Sequence, residues 1–137
     1  MPKLTELGET KDQIGDKIVI HQPRYRRAKN LGTGQLAGSE GSLYLCPTAM
    51  NAEVVTMSFV NTHTSALTMY LYVKTSGGTS RHIAPKALSL AAGAAYVYDY
   101  TVTLGPGDDI RGYASTASKI DYIISGFEEA QSTLPKQ

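Results

Sequence analysis

The stretch L-T-M-Y-L-Y-V, residues 67–73, decides the fold class of this chain. Aliphatic side chains occupy every second position, and in an extended chain they share one face: Leu67, Met69, Leu71 and Val73. The opposite face receives Thr68, Tyr70 and Tyr72. This period of two is that of a β-strand, whereas a helix would spread the same residues around its surface. The stretch therefore predicts a strand with one buried face and one outward face.

Segments with the same alternation lie on both sides of this strand, and turns containing glycine, proline or small polar residues separate them. The predicted strands are 42–46, 53–60, 67–75, 79–83, 87–90, 95–104, 109–114 and 120–127. Their apolar faces predict a core of Val55, Met57, Phe59, Leu67, Met69, Leu71, Val73, Val102, Leu104, Ile110, Ile120, Tyr122 and Ile124. Many short strands at close spacing predict an all-β fold, an antiparallel β-sandwich or jelly-roll-like domain over residues 42–128.

The two ends of the chain differ from this domain. Residues 1–41 contain a polar beginning, one short candidate strand at 17–21, and a run from 31 to 41 with four glycines. Ordering glycine carries a large cost in backbone entropy. Residues 1–41 are therefore predicted to form an extended N-terminal arm, and residues 129–137 a flexible C-terminal tail.

The composition argues against several classes of protein. Lys and Arg number 13 against 12 Asp and Glu, for a net charge of +1, so no overall field attracts nucleic acid. No apolar run reaches the length of a membrane span, about 18 residues, and the first residues do not resemble a signal peptide. The single cysteine, Cys46, cannot form a disulfide within the chain.

Catalytic and metal-binding motifs are missing from the sequence. His21, His63 and His82 lack the spacing of metal ligands. Cys46 could be a nucleophile with His63 or His82 as base, but a lone cysteine in L-Y-L-C is more typical of a small buried apolar residue. We therefore expect no enzyme activity, no metal and no cofactor.

The segment G-P-G-D-D, residues 105–109, is the most conspicuous local motif. Its paired carboxylates could belong to a calcium loop, but the alternating acidic residues of such a loop are missing. A tight turn explains it better, with Pro106 fixing φ, Gly107 at positive φ, and Asp108 capping the next backbone N–H.

Two groups of residues are candidates for partner binding. A basic run with one aromatic residue, Arg24, Tyr25, Arg26, Arg27 and Lys29, could pair with carboxylates of a protein surface or follow nucleic-acid phosphates. We favour protein, because no second basic stripe supports nucleic acid. The outward tyrosines, Tyr70 and Tyr72, are the second group, and tyrosine is enriched at interfaces. Because Tyr72 points outward, Tyr72→Ala is expected to leave the stability of the domain nearly unchanged.

Four segments between residues 54 and 129 combine strands with the patterns N-T-x-x-x, L-x-x-G, P-G-D-x-I-R-G and a closing S-G strand. They are F-V-N-T-H-T-S-A-L-T-M-Y-L-Y-V (59–73), L-S-L-A-A-G-A-A-Y-V-Y (88–98), L-G-P-G-D-D-I-R-G-Y-A-S (104–115) and I-D-Y-I-I-S-G-F-E-E (120–129). Together they resemble the small β-sandwich structural proteins of tailed-bacteriophage virions. About 75 of 137 residues share this likeness.

The resemblance implies a non-enzymatic structural protein that is made in the host cytoplasm and located in the virion in many copies. A capsid decoration (cement) protein is the leading expectation, with the major capsid protein or other virion proteins as partners and a homo-oligomer, such as a trimer, as the assembly. A tail, neck or fibre-attachment protein is the first alternative. A carbohydrate-binding module that uses outward tyrosines is an alternative from a different class.

Overall fold

A computed structural model describes residues 27–131, which form ten β-strands in two antiparallel sheets. The strands are β1 Lys29–Gln35, β2 Gly41–Leu45, β3 Met50–Asn61, β4 Leu67–Lys74, β5 Arg81–His82, β6 Leu88–Leu90, β7 Ala95–Tyr98, β8 Val102–Leu104, β9 Asp109–Ala114 and β10 Ile120–Ala130. These residues contain no helix. The all-β prediction is confirmed.

The two sheets pack face to face. Sheet A has the order β1-β10-β3-β7, and β8 also pairs with β3. Sheet B has the order β2-β9-β4-β5, and β6 also pairs with β4. The inward faces of both sheets form one core, so the fold is a β-sandwich.

Strand β4 confirms the faces predicted from its alternation. Leu67, Met69 and Leu71 are at most 6% exposed and lie in the core. Most other predicted core residues are also buried, while Val73, Val102 and Tyr122 are partly buried against the core. In β4 the apolar alternation therefore identifies the buried face.

Val55 is the exception, because it is 38% exposed and Val54 is fully buried in its place. The register between β3 and β10 shifts here: Thr56 pairs with Ser125, and Val54 pairs with the next residue, Gly126. The extra residue in β3 makes this a β-bulge, which interrupts the inward–outward alternation. The prediction of Val55 in the core was wrong for this reason.

Strand β1 corrects the predicted boundary of the arm. Residues 29–35 pair with β10, and Leu36 is fully buried. Two of the glycines that suggested an arm are needed here, because a Cβ on Gly32 would lie 2.9 Å from the carbonyl oxygen of Leu43, and one on Gly34 would meet the Tyr122 ring at 3.2–3.4 Å. The domain therefore includes residues before 42. At the other end, β10 continues to Ala130, past the predicted start of the tail.

Two loops also bear on the predictions. The predicted strand 95–104 is interrupted between β7 and β8, where Tyr100 is 71% exposed. Gly107 has φ of 82°, as predicted for the turn after β8. Both carboxylate oxygens of Asp108 accept backbone N–H groups at 2.9 Å, from Ser76 and Gly105. Asp108 therefore caps backbone N–H groups of Gly105 and Ser76, whereas the prediction named the next N–H along the chain.

The remaining predictions for the chain ends concern residues outside the described range. These are the candidate strand at 17–21, the histidine His21, and the basic-run residues Arg24, Tyr25 and Arg26.

Candidate binding surfaces

An aromatic cluster lies on the outward face of sheet B. The register of β4 and β9 places Tyr70 opposite Tyr113 and Tyr72 opposite Arg111, and β5 places His82 opposite Tyr72. We call the four rings of Tyr70, Tyr72, His82 and Tyr113 the tyrosine surface. Sequence reasoning identified only Tyr70 and Tyr72, although the alternation of 109–114 already put Asp109, Arg111 and Tyr113 on one face.

The rings of the tyrosine surface are closely packed. Tyr70 and Tyr113 are stacked, with ring centroids 4.5 Å apart and planes 7° from parallel. Tyr72 lies 6.4 Å from Tyr113 at 11°, and His82 lies 4.6 Å from Tyr72 at 41°. Cross-strand aromatic pairs of this kind stabilise a sheet by about 0.5–1.5 kcal/mol each. The cluster is therefore a rigid feature of sheet B.

Tyr72 is only 9% exposed although its side chain points away from the core. Burial, followed by the charge and hydrogen bond of Tyr113, raises the pKa of Tyr72 to about 12. Its hydroxyl is therefore protonated at neutral pH. This position is already largely covered by its own neighbours, which the sequence did not indicate.

A charged network borders the tyrosine surface. Arg111 donates from Nε to Oε2 of Glu40 at 2.8 Å and from Nη1 to Oδ2 of Asp109 at 2.9 Å. The hydroxyl of Ser80 donates to the same Glu40 oxygen at 2.5 Å, and that of Ser42 donates to Oδ1 of Asp109 at 2.6 Å. We call these five residues the carboxylate network.

The carboxylate network favours the ionised forms of Glu40 and Arg111. Hydrogen bonds from Ser80 and then Arg111 hold the pKa of Glu40 below its usual value. Hydrogen bonds to Glu40 and Asp109 raise the pKa of Arg111. Oriented hydrogen bonds between charged groups are shorter and stronger than neutral ones. The network therefore presents a fixed arrangement of donors and acceptors beside the rings.

The outward face of sheet A has a different character. Ile123 and Val97 both pair with Ser58, one on each side, so the three residues form a row across the sheet. Val60 lies in β3 two residues further along on the same face. The exposed fractions are 46% for Ile123, 56% for Val97 and 37% for Val60. We call Val60, Val97 and Ile123 the apolar face.

Two residues of the basic run, Arg27 and Lys29, lie in the described range, and both are exposed. Lys29 makes a 2.8 Å ion pair with Glu128, which also accepts a hydrogen bond from the Tyr44 hydroxyl. Lys29 and then Tyr44 hold the pKa of Glu128 below its usual value. Burial and then Glu128 raise the pKa of Tyr44. Lys29 thus contributes to the fold of its own chain.

Cys46 is a buried residue, 1% exposed, as expected of a small apolar side chain. Its thiol donates to the carbonyl oxygen of Met50 at 3.4 Å. Burial and then the charge of Glu128 raise the pKa of the thiol. A thiol whose pKa is raised forms less of the thiolate that acts as a nucleophile.

A cleft of about 440 Å³ opens where β3, β8 and β10 end. Acidic and polar residues line it together with three apolar ones, Ala52, Leu104 and Phe127. Within residues 27–131, no group of three or more His, Cys, Asp or Glu is placed to hold a metal ion. The same part of the chain has no helix long and apolar enough to cross a membrane.

No protein-family profile matches this chain, and no curated protein matches it. The candidate binding surfaces are the outward faces of sheets A and B.

Proposed function

We propose that this chain is a non-enzymatic structural protein of a tailed-phage virion, and that it acts as a capsid decoration (cement) protein. The observation that supports this best is the apolar face of sheet A. The outward face of an antiparallel sheet is ordinarily polar where it meets water. Here Val60, Val97 and Ile123 stand together at 37–56% exposure. Several exposed aliphatic side chains on one sheet face are typical of a surface that another protein covers.

The partner we propose is the major capsid protein or a neighbouring virion protein. Ser58 and Thr33 lie in the same row as Val97 and Ile123, so small uncharged side chains separate the aliphatic ones. This row is uncharged, and the exposed Asp121, which pairs with Val60, borders it. An uncharged row of this kind suits a second apolar surface. Many copies, arranged as homo-oligomers such as trimers, would each add a weak contact to the shell, and the repeated contacts would combine to reinforce it.

A tail, neck or fibre-attachment protein would use the same apolar face on a different part of the virion. The two roles differ in where the chain lies and in how many copies are present. Cryo-electron microscopy of an intact particle distinguishes them, because a decoration protein is distributed over the head lattice.

A sedimentation experiment tests the proposal. Purified full-length chain is mixed with particles that lack it, and the particles are sedimented. The double variant Val97→Ser and Ile123→Ser should bind about tenfold less tightly, because it removes two aliphatic contacts. The matched control is Leu45→Ser, which removes an aliphatic side chain that is 57% exposed on sheet B.

Two outcomes would contradict different parts of the proposal. If the unchanged chain does not sediment with the particles, the virion proposal is wrong. If the double variant sediments as well as the control, the attachment surface lies elsewhere and the apolar face does not support the proposal.

A further inference from the structure

The tyrosine surface and the carboxylate network adjoin each other on sheet B, and this combination differs from the apolar face. Tyr72 lies directly opposite Arg111, the residue that joins both carboxylates. Flat aromatic rings therefore lie next to hydrogen-bonding groups with fixed positions. A ligand that matches both must have an apolar face and several hydroxyl or amide groups at its edge.

The aromatic part can bind the apolar face of a ring-shaped ligand. Tyr70 and Tyr113 stack at 4.5 Å, Tyr72 lies nearly parallel to Tyr113 at 6.4 Å, and His82 lies 6.4 Å from Tyr70. The side chains of Tyr70 and Tyr113 are partly exposed, and His82 at the edge is exposed. An aromatic ring face packs well against C–H groups, while the tyrosine hydroxyl stays in contact with polar groups.

The polar part retains hydrogen-bonding capacity. Ser80 and Arg111 both donate to Oε2 of Glu40, and the described contacts include none to its Oε1. Arg111 uses Nε and Nη1, and the described contacts include none at Nη2. An acceptor and a donor are thus held side by side by ion pairs. Such preorganisation reduces the entropy that binding costs.

The charged side chains beside the tyrosine surface limit which class of ligand can bind there. The carboxylates of Glu40 and Asp109 are balanced by Arg111 and by Lys74, which pairs with Asp109, so the site offers no excess of positive charge. Phosphate groups of a nucleic acid would meet two carboxylates here, whereas binding of single strands relies on a basic groove. An apolar protein segment would bury the charged network without pairing it, which is costly. A neutral ligand rich in hydroxyl groups fits both parts.

We propose that the tyrosine surface and the carboxylate network form a binding site for a neutral saccharide. The C–H face of one sugar ring packs on the stack of Tyr70 and Tyr113. Its hydroxyls donate to Oε1 of Glu40 and accept from Nη2 of Arg111. This site lies on sheet B, and it does not depend on the virion role proposed for the apolar face of sheet A.

An NMR titration of the full chain tests this site. The probes are three neutral hexasaccharides, namely maltohexaose, cellohexaose and chitohexaose. At least one of them should shift the resonances of Tyr70 and Tyr113. Tyr70→Ala should weaken its binding about tenfold, as for an aromatic residue at the centre of a site. The matched control is Tyr100→Ala, because Tyr100 is 71% exposed and lies outside the site.

Glu40→Gln is the second variant, and it leaves all four rings in place. It should also weaken saccharide binding about tenfold, because it disturbs the ion pair that orients Arg111. It should sediment with particles as the unchanged chain does, so failure of this proposal is distinguishable from failure of the virion role. The saccharide proposal is wrong if no hexasaccharide shifts the two tyrosines, if Glu40→Gln binds unchanged, or if oligo(dT) shifts them and the saccharides do not.

Discussion

The outward faces of the two sheets are built from the same alternating pattern but differ in how much of them is exposed. On sheet B, Tyr72 points outward and is only 9% exposed. On sheet A, Val97 also points outward and is 56% exposed. The rings of His82 and Tyr113 lie beside Tyr72, whereas the cross-strand partner of Val97 is the small residue Ser58. The direction of a side chain is therefore set by its strand, but its burial is set by its cross-strand neighbours.

The largest expected effect comes from removing the edge strand of sheet A. Deleting residues 1–41 removes β1 and the fully buried Leu36, whereas deleting residues 1–26 leaves every described strand in place. We expect the longer deletion to cost at least about 5 kcal/mol, comparable with the whole stability of a small domain. The arm prediction implied that this deletion would leave a folded domain, and the pairing of β1 contradicts it.

Thermal unfolding followed by circular dichroism compares the two deletions. The shorter one should melt in a single cooperative transition, and the longer one should show none. A cooperative transition of similar midpoint in both would mean that sheet A does not need β1.

The second-largest effect is expected from a substitution on the inward face of β4. Leu71 is fully buried between the sheets, so Leu71→Ala should lower the free energy of unfolding by about 2–5 kcal/mol. Urea denaturation measures the change. A loss below about 1 kcal/mol would indicate that the core relaxes around the cavity or that the faces of β4 are reversed.

Substitutions on the two outward faces should have smaller effects on stability, and these effects should differ between the sheets. Because Tyr72 packs against His82 and Tyr113, Tyr72→Ala should cost about 1–2 kcal/mol. This replaces the earlier expectation of a nearly neutral change, which treated outward as exposed. Val97→Ala should cost no more than about 0.5 kcal/mol. Urea denaturation of both variants decides the matter, and equal losses would remove the contrast between the sheets.

The smallest effect concerns a bridge between the sheets, in which Glu128 of sheet A binds Lys29 and also Tyr44 of sheet B. The pKa of Glu128 is lowered on folding, first by Lys29. Its stabilisation is therefore present above the ordinary carboxyl pKa and is lost as the pH falls through the lowered value. We expect Glu128→Gln to cost about 1 kcal/mol or less at pH 7, because Lys29 is 53% exposed.

The measurement for this bridge is the free energy of unfolding of both proteins at neutral and acidic pH. The difference between them should shrink as the solution becomes more acidic. A difference that stays constant down to low pH would show that the charge of Glu128 does not stabilise the fold.

Much of the fold was predictable from the sequence because it rests on local alternation. The apolar faces of β4, β9 and β10 are regular, so their buried residues, such as Leu71, Ile110 and Ile124, could be identified without a structure. Strand β1 was missed because its glycines looked unfavourable for ordered structure. These positions hold glycine because Leu43 and Tyr122 lie close to the backbone of β1. Such contacts between distant residues cannot be recognised from the local sequence pattern.

The candidate sites were predictable only in part. Tyr70 and Tyr72 could be placed on one outward face, but Tyr113, His82 and Glu40 come from other parts of the chain and meet them only through strand pairing. The apolar face was likewise missed, because Val60, Val97 and Ile123 are outward apolar residues in strands whose inward residues are also apolar or aromatic. Hydrophobicity alone does not tell which of two apolar faces reaches water.

The sequence by itself determined the fold class, the buried face of the central strand, and the turn with positive φ at Gly107, because each depends on the conformation of a few consecutive residues. The tertiary structure alone decided the bulge that exposes Val55, the inclusion of β1 in sheet A, and the assembly of the tyrosine surface. Those features depend on register, and register is set by contacts between residues that are far apart in the chain.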